Sequence, residues 1–206
     1  MKENFREMSD EPLHWQVFIS LALACVFRRG ENLALEANKI DRDNKQVTID
    51  QTIGGGKEWK PKIKDKKSSP STRIVSVPES VIVLLKKLYI SNSRMGNKAS
   101  HLWKEKSHNW IFCNEDGTHF YPTTPTTWWR RFTKRKGIRH IRLHDLRHTS
   151  ATFLINQGVH AKIISERLGH ADIRTTMDTY GHALRSAEQE AAGKIDTLFT
   201  RKEKAD

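Results

Sequence analysis

The chain has 206 residues, and 36 Lys or Arg against 24 Asp or Glu give it a net charge of +12. This excess favours a polyanion such as nucleic acid over an anionic membrane, because the basic residues cluster around polar and aromatic positions instead of along one face of a Leu-rich helix. Cys25 and Cys113 lack the spacing of a metal or disulfide site, so free thiols in a reducing cytoplasm are expected. The apolar run 17–27 is shorter than the roughly 20 residues of a membrane-spanning helix, so a core helix is expected there.

The first predicted elements are two helices with an arginine between them. Residues 1–11 are charged and are interpreted as a lead-in, and Pro12 suits the first turn of a helix that turns its apolar side chains inward. That helix delivers Arg28, and a second short helix is predicted over 31–37. Taken alone, Arg28 and its neighbour Arg29 would be solvated charges at a helix end.

A small antiparallel sheet is predicted next. Residues 46–52 and 73–77 alternate in the manner of strands, and residues 58–63 are predicted to pair between them as the middle strand. The segment 57–73 is rich in lysine, which is typical of a phosphate-contacting hairpin but also of a solvated tip. Its lysines are Lys57, Lys60, Lys62, Lys64, Lys66 and Lys67.

Two further helices follow, separated by a polar loop predicted over 91–108. Pro78 opens an amphipathic helix over 79–89 whose apolar side is assigned to the core. A helix over 123–136 interleaves aromatic residues with cations, and two interpretations stay open: a DNA-facing helix anchored by its aromatic residues, or a core helix with a hydrated basic face. The residues assigned to DNA binding are Arg130, Arg131, Lys134 and Arg135 of this helix, with Lys62, Lys64 and Lys66 of the hairpin.

The segment 144–182 holds the densest group of side chains able to handle a phosphate. Within a helix predicted over 143–155, spacings of three and four place His144, Arg147 and His148 on one face. These three side chains can therefore converge on one ligand.

A second helix in this segment is predicted to end at Gly169, a residue suited to the left-handed position that closes a helix. His170 follows at once and is therefore aimed by the helix end. Tyr180 then closes a short segment that Gly181 breaks.

These residue types suit nucleophilic attack on a phosphodiester. A tyrosine hydroxyl is a weak nucleophile at neutral pH because its unperturbed pKa is about 10, so Tyr180 needs a base and a cationic field over the phosphate. His144 is the candidate base, and Arg147 with His170 would supply the field. Arginine suits that task because its planar fork bonds two phosphate oxygens at once and keeps its charge.

At these residues the sequence resembles the tyrosine recombinases, the phage-integrase family. The second box of that family runs His-x-x-Arg, then Leu-Gly-His, then a nucleophilic tyrosine about ten residues later. His144, Arg147, the triplet 168–170 and Tyr180 match each part in order and spacing.

The resemblance extends to a first box near the start of the chain. In the family this box reads Thr-Gly-x-Arg-x-x-Glu, and residues 25–31 align with it. Arg28 takes the place of the first catalytic arginine, and Glu31 takes that of its acidic partner. Cys25 and Val26 replace the Thr-Gly pair. The family also supplies a catalytic lysine from a hairpin.

The fold and activity that the resemblance implies are those of a recombinase catalytic domain. The fold would be mainly α-helical with a small three-stranded antiparallel β-sheet. The enzyme would be a site-specific DNA recombinase, an integrase, in which Tyr180 attacks the scissile phosphate to give a 3′-phosphotyrosyl link and a free 5′-hydroxyl. Because that link retains the energy of the phosphoester bond, no metal and no other cofactor are expected.

The same resemblance implies a role for each site residue. Arg28, Arg147 and His170 would hold the nonbridging oxygens, and His144 would assist proton transfer. The hairpin lysine would protonate the leaving oxygen. The family spacing, counted back from Arg73, puts this lysine at Lys67, with Lys64 and Lys62 as rivals.

The domain boundaries and partners follow from the same resemblance. Residues 1–11 are interpreted as a lead-in from a missing N-terminal DNA-binding domain, 12–182 as the catalytic domain, and 183–206 as a C-terminal helix and tail. The expected partner is double-stranded DNA at attachment sites. A homotetramer is expected in the synapse and a monomer for the isolated fragment, with an amphipathic helix over 184–199 packed on its own or a neighbouring catalytic domain.

Three other functions compete with this interpretation. A type IB topoisomerase shares much of the chemistry but fits the two-box pattern less well. A zinc hydrolase would use the imidazoles of His144, His148, His170 and His182, yet no carboxylate or cysteine completes such a site. A DNA-binding protein without activity would explain the charge but not Tyr180 with its ordered partners.

Overall fold

The computed structural model describes residues 7–55, 61–65, 72–181 and the four positions 193, 195, 196 and 199, with Ile63 as the one described side chain of 61–65. The α-helices with described bounds lie between residues 13 and 181. They are α1 Leu13–Ala24, α2 Arg29–Leu33, α3 Glu79–Ala99, α4 Thr124–Arg135, α5 Asp145–Asn156, α6 Ala161–Leu168 and α7, helical over residues 173–181. None of the helices among the described residues is both long and apolar enough to cross a membrane.

Helix α1 is the centre of the main hydrophobic core. Its residues from 17 to 22 are all buried, which is typical of a helix surrounded by other elements. It packs against α3 and α5. The N-terminal apolar run is therefore a core helix, as its composition predicts.

The sheet is small, antiparallel and three-stranded, with the order β1-β2-β5. Its strands are β1 Ile40–Asp41, β2 Gln46–Ile49 and β5 Arg73–Ser76. Val47 pairs with Val75, and Ile49 pairs with Arg73. The predicted fold, mainly helical with a three-stranded antiparallel sheet, is confirmed.

The predicted middle strand is wrong. The centre of the sheet is β2. The turn over residues 42–45 brings β2 back against β1, so β2 pairs with β1 on one side and with β5 on the other. Of the predicted segment, residues 58–60 lie outside the described residues, and 61–63 belong to β4 Pro61–Asp65. That strand pairs with β3 Gln51–Gly55 in a separate two-stranded ribbon. The predicted strand 46–52 is thus divided between two sheets.

Helix α3 is longer than its apolar pattern predicts. It continues through residues 91–99, which the sequence assigned to a loop. Asn92 donates a hydrogen bond to the Ile111 carbonyl at 2.9 Å, and the Trp103 ring packs on Gly96. Contacts with distant parts of the chain therefore stabilise the polar half of this helix.

Helix α4 resolves the choice between a DNA-anchoring and a core role for its aromatic residues. Trp129 and Phe132 are buried, and Trp128 stacks on Trp15 with ring centroids 4.5 Å apart. The cations of the helix are exposed instead. The helix is therefore a core element with a hydrated basic face.

The position of α2 depends on a close approach to β3. A Cβ added at Gly30 would lie 2.4 Å from the Thr52 hydroxyl and 2.6 Å from the Ile53 carbonyl oxygen. Only glycine leaves room for that contact. The helix begins at Arg29 and ends at Leu33, earlier than the predicted 31–37. Arg28 is consequently fixed at the junction of α1, α2 and the ribbon.

Candidate active site

Arg28 is held by the acidic residue that follows it at the start of α2. Its Nη1 donates to Glu31 Oε1 at 3.0 Å, and its backbone N–H donates to Glu31 Oε2 at 2.8 Å. The Glu31 carboxylate is buried, whereas the Arg28 side chain is 37% exposed. The helix dipole and the arginine both stabilise that buried charge. Glu31 therefore lies directly against Arg28, and its supporting role in the reaction stays a prediction.

Arg147 lies on α5 and is almost fully buried. Its Nη1 donates to the Val26 carbonyl and its Nη2 to the Leu168 carbonyl. Burial, with Arg28 and Arg73 nearby, lowers the pKa of Arg147 to about 9. The guanidinium therefore stays charged at neutral pH. Each of these bonds uses one of the two hydrogens on its nitrogen, so hydrogens remain for a ligand.

The Val26 backbone approaches Arg147 in a conformation that glycine adopts more readily than other residues. Its φ of 54° is in the left-handed region, an unusual conformation for a β-branched residue. The side chain is buried in a second apolar cluster with α5, α6 and the Tyr180 ring. Packing thus holds the backbone where its carbonyl accepts from Arg147.

The C-terminal end of α6 has the geometry predicted for Gly169. This glycine is left-handed with φ 61°, and its N–H donates to the Glu166 carbonyl at 2.9 Å. The His170 N–H donates to the Ser165 carbonyl at 3.1 Å. The prediction that Gly169 closes the helix and aims His170 is confirmed.

His170 is anchored from behind by a buried threonine. Its Nδ1 lies 2.8 Å from the Thr176 hydroxyl. Burial first, and then the charges of Arg147, Arg28 and Arg73, lower the pKa of His170 to about 4. The imidazole is therefore neutral at pH 7. In this state it can offer a hydrogen bond to a phosphate. The contribution to the cationic field that the sequence interpretation gave it stays a prediction.

Tyr180 is on α7 and is buried, 5% exposed, with its hydroxyl 2.8 Å from His148 Nδ1. Burial raises the pKa of this phenol. The hydroxyl consequently keeps its proton at neutral pH and needs an acceptor before it can attack.

The histidine at the tyrosine hydroxyl is His148, not the predicted His144. His144 precedes α5, is exposed, and stands edge-on to the His148 ring at 5.0 Å between centroids. Burial, and then the charges of His148, Arg147 and Arg28, lower the pKa of His144. His144 therefore borders the same cationic cluster. Helical spacing puts both histidines on one face but does not tell which one reaches Tyr180.

The comparisons with known proteins agree with this geometry. A model of the phage integrase family matches residues 3–187. The chain belongs to the phage integrase family.

Curated members of the family resemble much of this chain. It is 27% identical over 188 residues to a tyrosine recombinase XerC-like protein of Caldanaerobacter subterraneus, covering 87% of this chain and 48% of that protein. It is 30% identical over 197 residues to the ICEBs1 integrase of Bacillus subtilis, covering 92% and 50%. The chain thus spans about half the length of these relatives.

Solved structures of phage integrase family members share the fold. The Tn1549 transposon integrase in complex with circular intermediate DNA superposes with a TM-score of 0.76 at 18% identity, covering 94% of this chain and 64% of that one. The catalytic domain of bacteriophage HP1 integrase gives 0.56 at 18% identity, covering 97% and 92%.

The lysines predicted for this phage integrase family member are less fully described. Lys66 and Lys67 lie outside the described residues. Lys62 and Lys64 are on β4, where they pair with Gly54 and Thr52 of β3. Which of the hairpin lysines serves the reaction therefore remains a prediction.

The basic face of α4 lies beside the first arginine box. Arg29 of α2 donates to the Thr126 hydroxyl of α4 at 3.0 Å, which ties the two helices together. Arg130, Arg131 and Lys134 are exposed on α4. Arg135 is also exposed, but it forms an ion pair with Glu11 at 2.6 Å.

The histidines do not form a metal site in the described part of the chain. Across the residues that the structure describes, no group of three or more His, Cys, Asp or Glu side chains is arranged to hold a metal ion. The Nδ1 atoms of His148 and His170 are engaged by hydroxyls. His182, the fourth histidine of the proposed zinc set, lies outside the described residues.

Proposed function

We propose that this chain carries the catalytic domain of a site-specific DNA recombinase, which cleaves and rejoins DNA through a 3′-phosphotyrosyl intermediate. The observation that carries the proposal is the buried Tyr180 hydroxyl at His148, beside Arg147 and the charges gathered around it. A nucleophile, a proton acceptor and fixed cations are the parts that phosphodiester transfer requires. The domain is proposed to span 12–182, preceded by the lead-in 1–11 and followed by a helix and tail over 183–206.

The first step is attack by Tyr180 on the scissile phosphorus. A bond forms between Tyr180 Oη and phosphorus, and the bond from phosphorus to the 5′ oxygen breaks. The phenolic proton passes to His148 Nδ1, which is already in hydrogen-bond contact with the hydroxyl. Lys67 is the proposed donor of a proton to the leaving 5′ oxygen. Attack by a 5′-hydroxyl of another strand reverses these changes and joins the strands.

The nonbridging oxygens are assigned to Arg28, Arg147 and His170. Arg28 is more accessible than Arg147, so it can contact a phosphate from the solvent side. Arg147 supplies a buried donor that is charged at neutral pH. His170 is neutral, so its ring donates a hydrogen bond from Nε2 while Nδ1 faces Thr176. His144 borders the site, where it assists proton transfer.

The proposed partner is double-stranded DNA at attachment sites. Support comes from the net charge, from the exposed cations of α4, and from structural neighbours whose own complexes contain DNA. A homotetramer in the synapse is part of the proposal. Residues 184–199 would couple the subunits by packing an apolar face on a neighbouring domain, although most of this segment lies outside the described residues.

Covalent trapping tests the proposal without knowledge of the target sequence. A pool of nicked duplex oligonucleotides of random sequence is incubated with the protein, so that a short 5′-hydroxyl fragment diffuses away after cleavage. The unaltered chain should form a denaturation-resistant adduct. Tyr180→Phe should form none while keeping its DNA affinity, because only the nucleophilic oxygen is lost.

Tyr121→Phe is the matched control, because Tyr121 is an exposed tyrosine in the loop before α4. It should form the adduct as well as the unaltered chain does. Adduct formation by Tyr180→Phe, or none by the unaltered chain, would contradict the proposed function.

A further inference from the structure

A third arginine is built into the site from the sheet. Arg73 begins β5, and its side chain is only 7% exposed. Its Nη1 and Nη2 donate to the two oxygens of Glu31 at 3.0 and 2.9 Å, and its Nε donates to the Arg167 carbonyl at 2.9 Å. This is a two-bond arginine–carboxylate pair in a buried setting. Its three guanidinium nitrogens are all directed at Glu31 and the Arg167 carbonyl, so Arg73 acts through its neighbours.

The end of α6 collects arginines from three different elements. Three successive carbonyls, those of residues 167, 168 and 169, accept hydrogen bonds from them. The last carbonyls of a helix have no partner within the helix, and they carry its negative dipole end. They therefore offset the repulsion among the cations. The donors are Arg73 from β5, Arg147 from α5, and Arg28, whose Nη2 is at 3.5 Å.

Glu31 links Arg73 to Arg28. Its Oε1 accepts from Nη1 of both arginines at 3.0 Å, and its Oε2 accepts from the Arg28 backbone and from Arg73. One buried carboxylate thus fixes an enclosed arginine on one side and a partly exposed arginine on the other. The orientation of Arg28 depends on where Arg73 places that carboxylate.

Arg73 also packs on the residue that precedes His170. A Cβ at Gly169 would lie 2.8 Å from Arg73 Nη1 and 3.1 Å from its Cδ and Cζ. The close contact, together with the bond to the Arg167 carbonyl, fixes the turn that aims His170. Arg73 therefore touches the supports of two proposed phosphate ligands.

We propose that Arg73 is a positioning residue of this site, which sets Arg28 through Glu31 and sets His170 through the end of α6. The inference rests on the proposed function, in which those two residues hold the scissile phosphate. It adds a residue that neither sequence box contains. It also explains why a buried ion pair stands at the junction of the sheet with α6.

The effect of the Arg73 charge can be measured in the protein without DNA, as a change in the pKa of His170. Arg73 is one of the cations that lower the pKa of His170, after burial and the charges of Arg147 and Arg28. Arg73→Gln removes that charge, so the pKa of His170 should rise. Arg73→Lys retains a charge but loses the planar fork, so it separates the electrostatic effect from the geometric one.

The first experiment follows the His170 ring by NMR as pH is varied. Arg73→Gln should raise the pKa of His170, and Arg73→Lys should raise it less. Arg42→Gln is the charge-matched control, because Arg42 is an exposed arginine that stacks on Tyr89. It should leave His170 unchanged. An unaltered His170 in Arg73→Gln, or an equal rise in the Arg42 control, would overturn the proposal.

The second experiment measures single-turnover adduct formation at saturating nicked DNA. Arg73→Lys should slow cleavage by at least about tenfold, the scale for a small misplacement of reacting groups, with DNA affinity retained. A rate within twofold of the unaltered chain would overturn the positioning role. If the unaltered chain forms no adduct, the proposed function fails, while the NMR experiment still tests whether Arg73 acts on His170.

A double-mutant cycle tests whether Arg73 acts through Glu31. The variants are Arg73→Gln, Glu31→Gln and the double variant. Each single substitution leaves one buried charge without its partner, whereas the double variant removes both charges and can fold even if a single variant does not. Residues that act as one unit give non-additive losses. The double variant should therefore lose no more cleavage activity than the more damaging single variant. Full additivity, or a double variant that cleaves within twofold of the unaltered chain, would overturn the linkage.

Discussion

Two groups of cations in this protein contrast sharply. Arg73 and Arg147 are enclosed, and protein carbonyls and a carboxylate hold their guanidinium groups in place. Arg130 and Arg131 lie on the surface of α4 in water. The residue type is the same, but only the first group has its orientation fixed before a ligand arrives. Burial with hydrogen-bond partners therefore distinguishes the preorganised site from the surface that attracts a polyanion.

The largest effect should come from Arg147. Arg147→Ala removes a fixed charge and leaves the Val26 and Leu168 carbonyls without their donor, so cleavage should fall by at least ~100-fold. Arg174→Ala is the control, because Arg174 is 86% exposed near Asp172. Single-turnover adduct rates measure both variants. If Arg147→Ala lowered the cleavage rate by less than fivefold, the enclosed arginines would not differ in function from the surface arginines.

The surface group should behave in the opposite way. Replacing Arg130 and Arg131 together by Ala should weaken DNA binding and lower the slope of log affinity against log salt by about two, since each phosphate contact contributes roughly 0.9. Cleavage at saturating DNA should be nearly unchanged. Binding titrations at several salt concentrations test this. An unchanged slope would mean that α4 does not contact phosphates.

The lowered pKa of His170 should make the stability of the folded protein depend on pH. Its pKa is about 4 in the folded protein, whereas the ordinary pKa of a histidine in an unfolded chain is 6.5. Between these values the unfolded state binds the additional proton, so this histidine makes the fold less stable as pH falls from 6.5 towards 4. His170→Gln should therefore reduce the fall in thermal midpoint between pH 7 and pH 5. An equal fall in both proteins would contradict the lowered pKa.

The smallest effect concerns the strained backbone that holds Arg147. Val26→Ala and Val26→Gly both lose buried apolar surface, but only glycine relieves the left-handed conformation. Val26→Gly should therefore be more stable than Val26→Ala by about 0.5–1 kcal/mol, the reverse of the usual order. Denaturant titrations compare the two variants. A less stable glycine variant would show that the conformation carries no strain.

The sequence was informative where function depends on local order along the chain. The closing glycine at Gly169 was predictable, because its position reflects helix geometry. The boxes around Arg28 and Arg147 were found through their resemblance to a known family, in which the order and spacing of the residues are local. The core role of α1 was also clear from its mainly apolar composition.

What the sequence could not reveal depends on contacts between distant segments. The pairing of Arg73 with Glu31 joins residues 42 positions apart, and no local pattern predicts it. The choice of His148 over His144 at the tyrosine hydroxyl depends on how α7 lies against α5. The partner of β2 and the extension of α3 were missed for the same reason, since tertiary contacts outweigh local propensity there.

The most direct test of the proposed chemistry is the identity of the residue that becomes linked to DNA. The trapped adduct is digested with nuclease and trypsin, and the peptides are analysed by mass spectrometry. The peptide 175–185 contains Tyr180 as its one tyrosine. We expect this peptide to carry a nucleotide joined through its 3′ phosphate to Tyr180. A nucleotide on Tyr89, Tyr121 or any other residue would contradict the assignment of Tyr180 as the nucleophile.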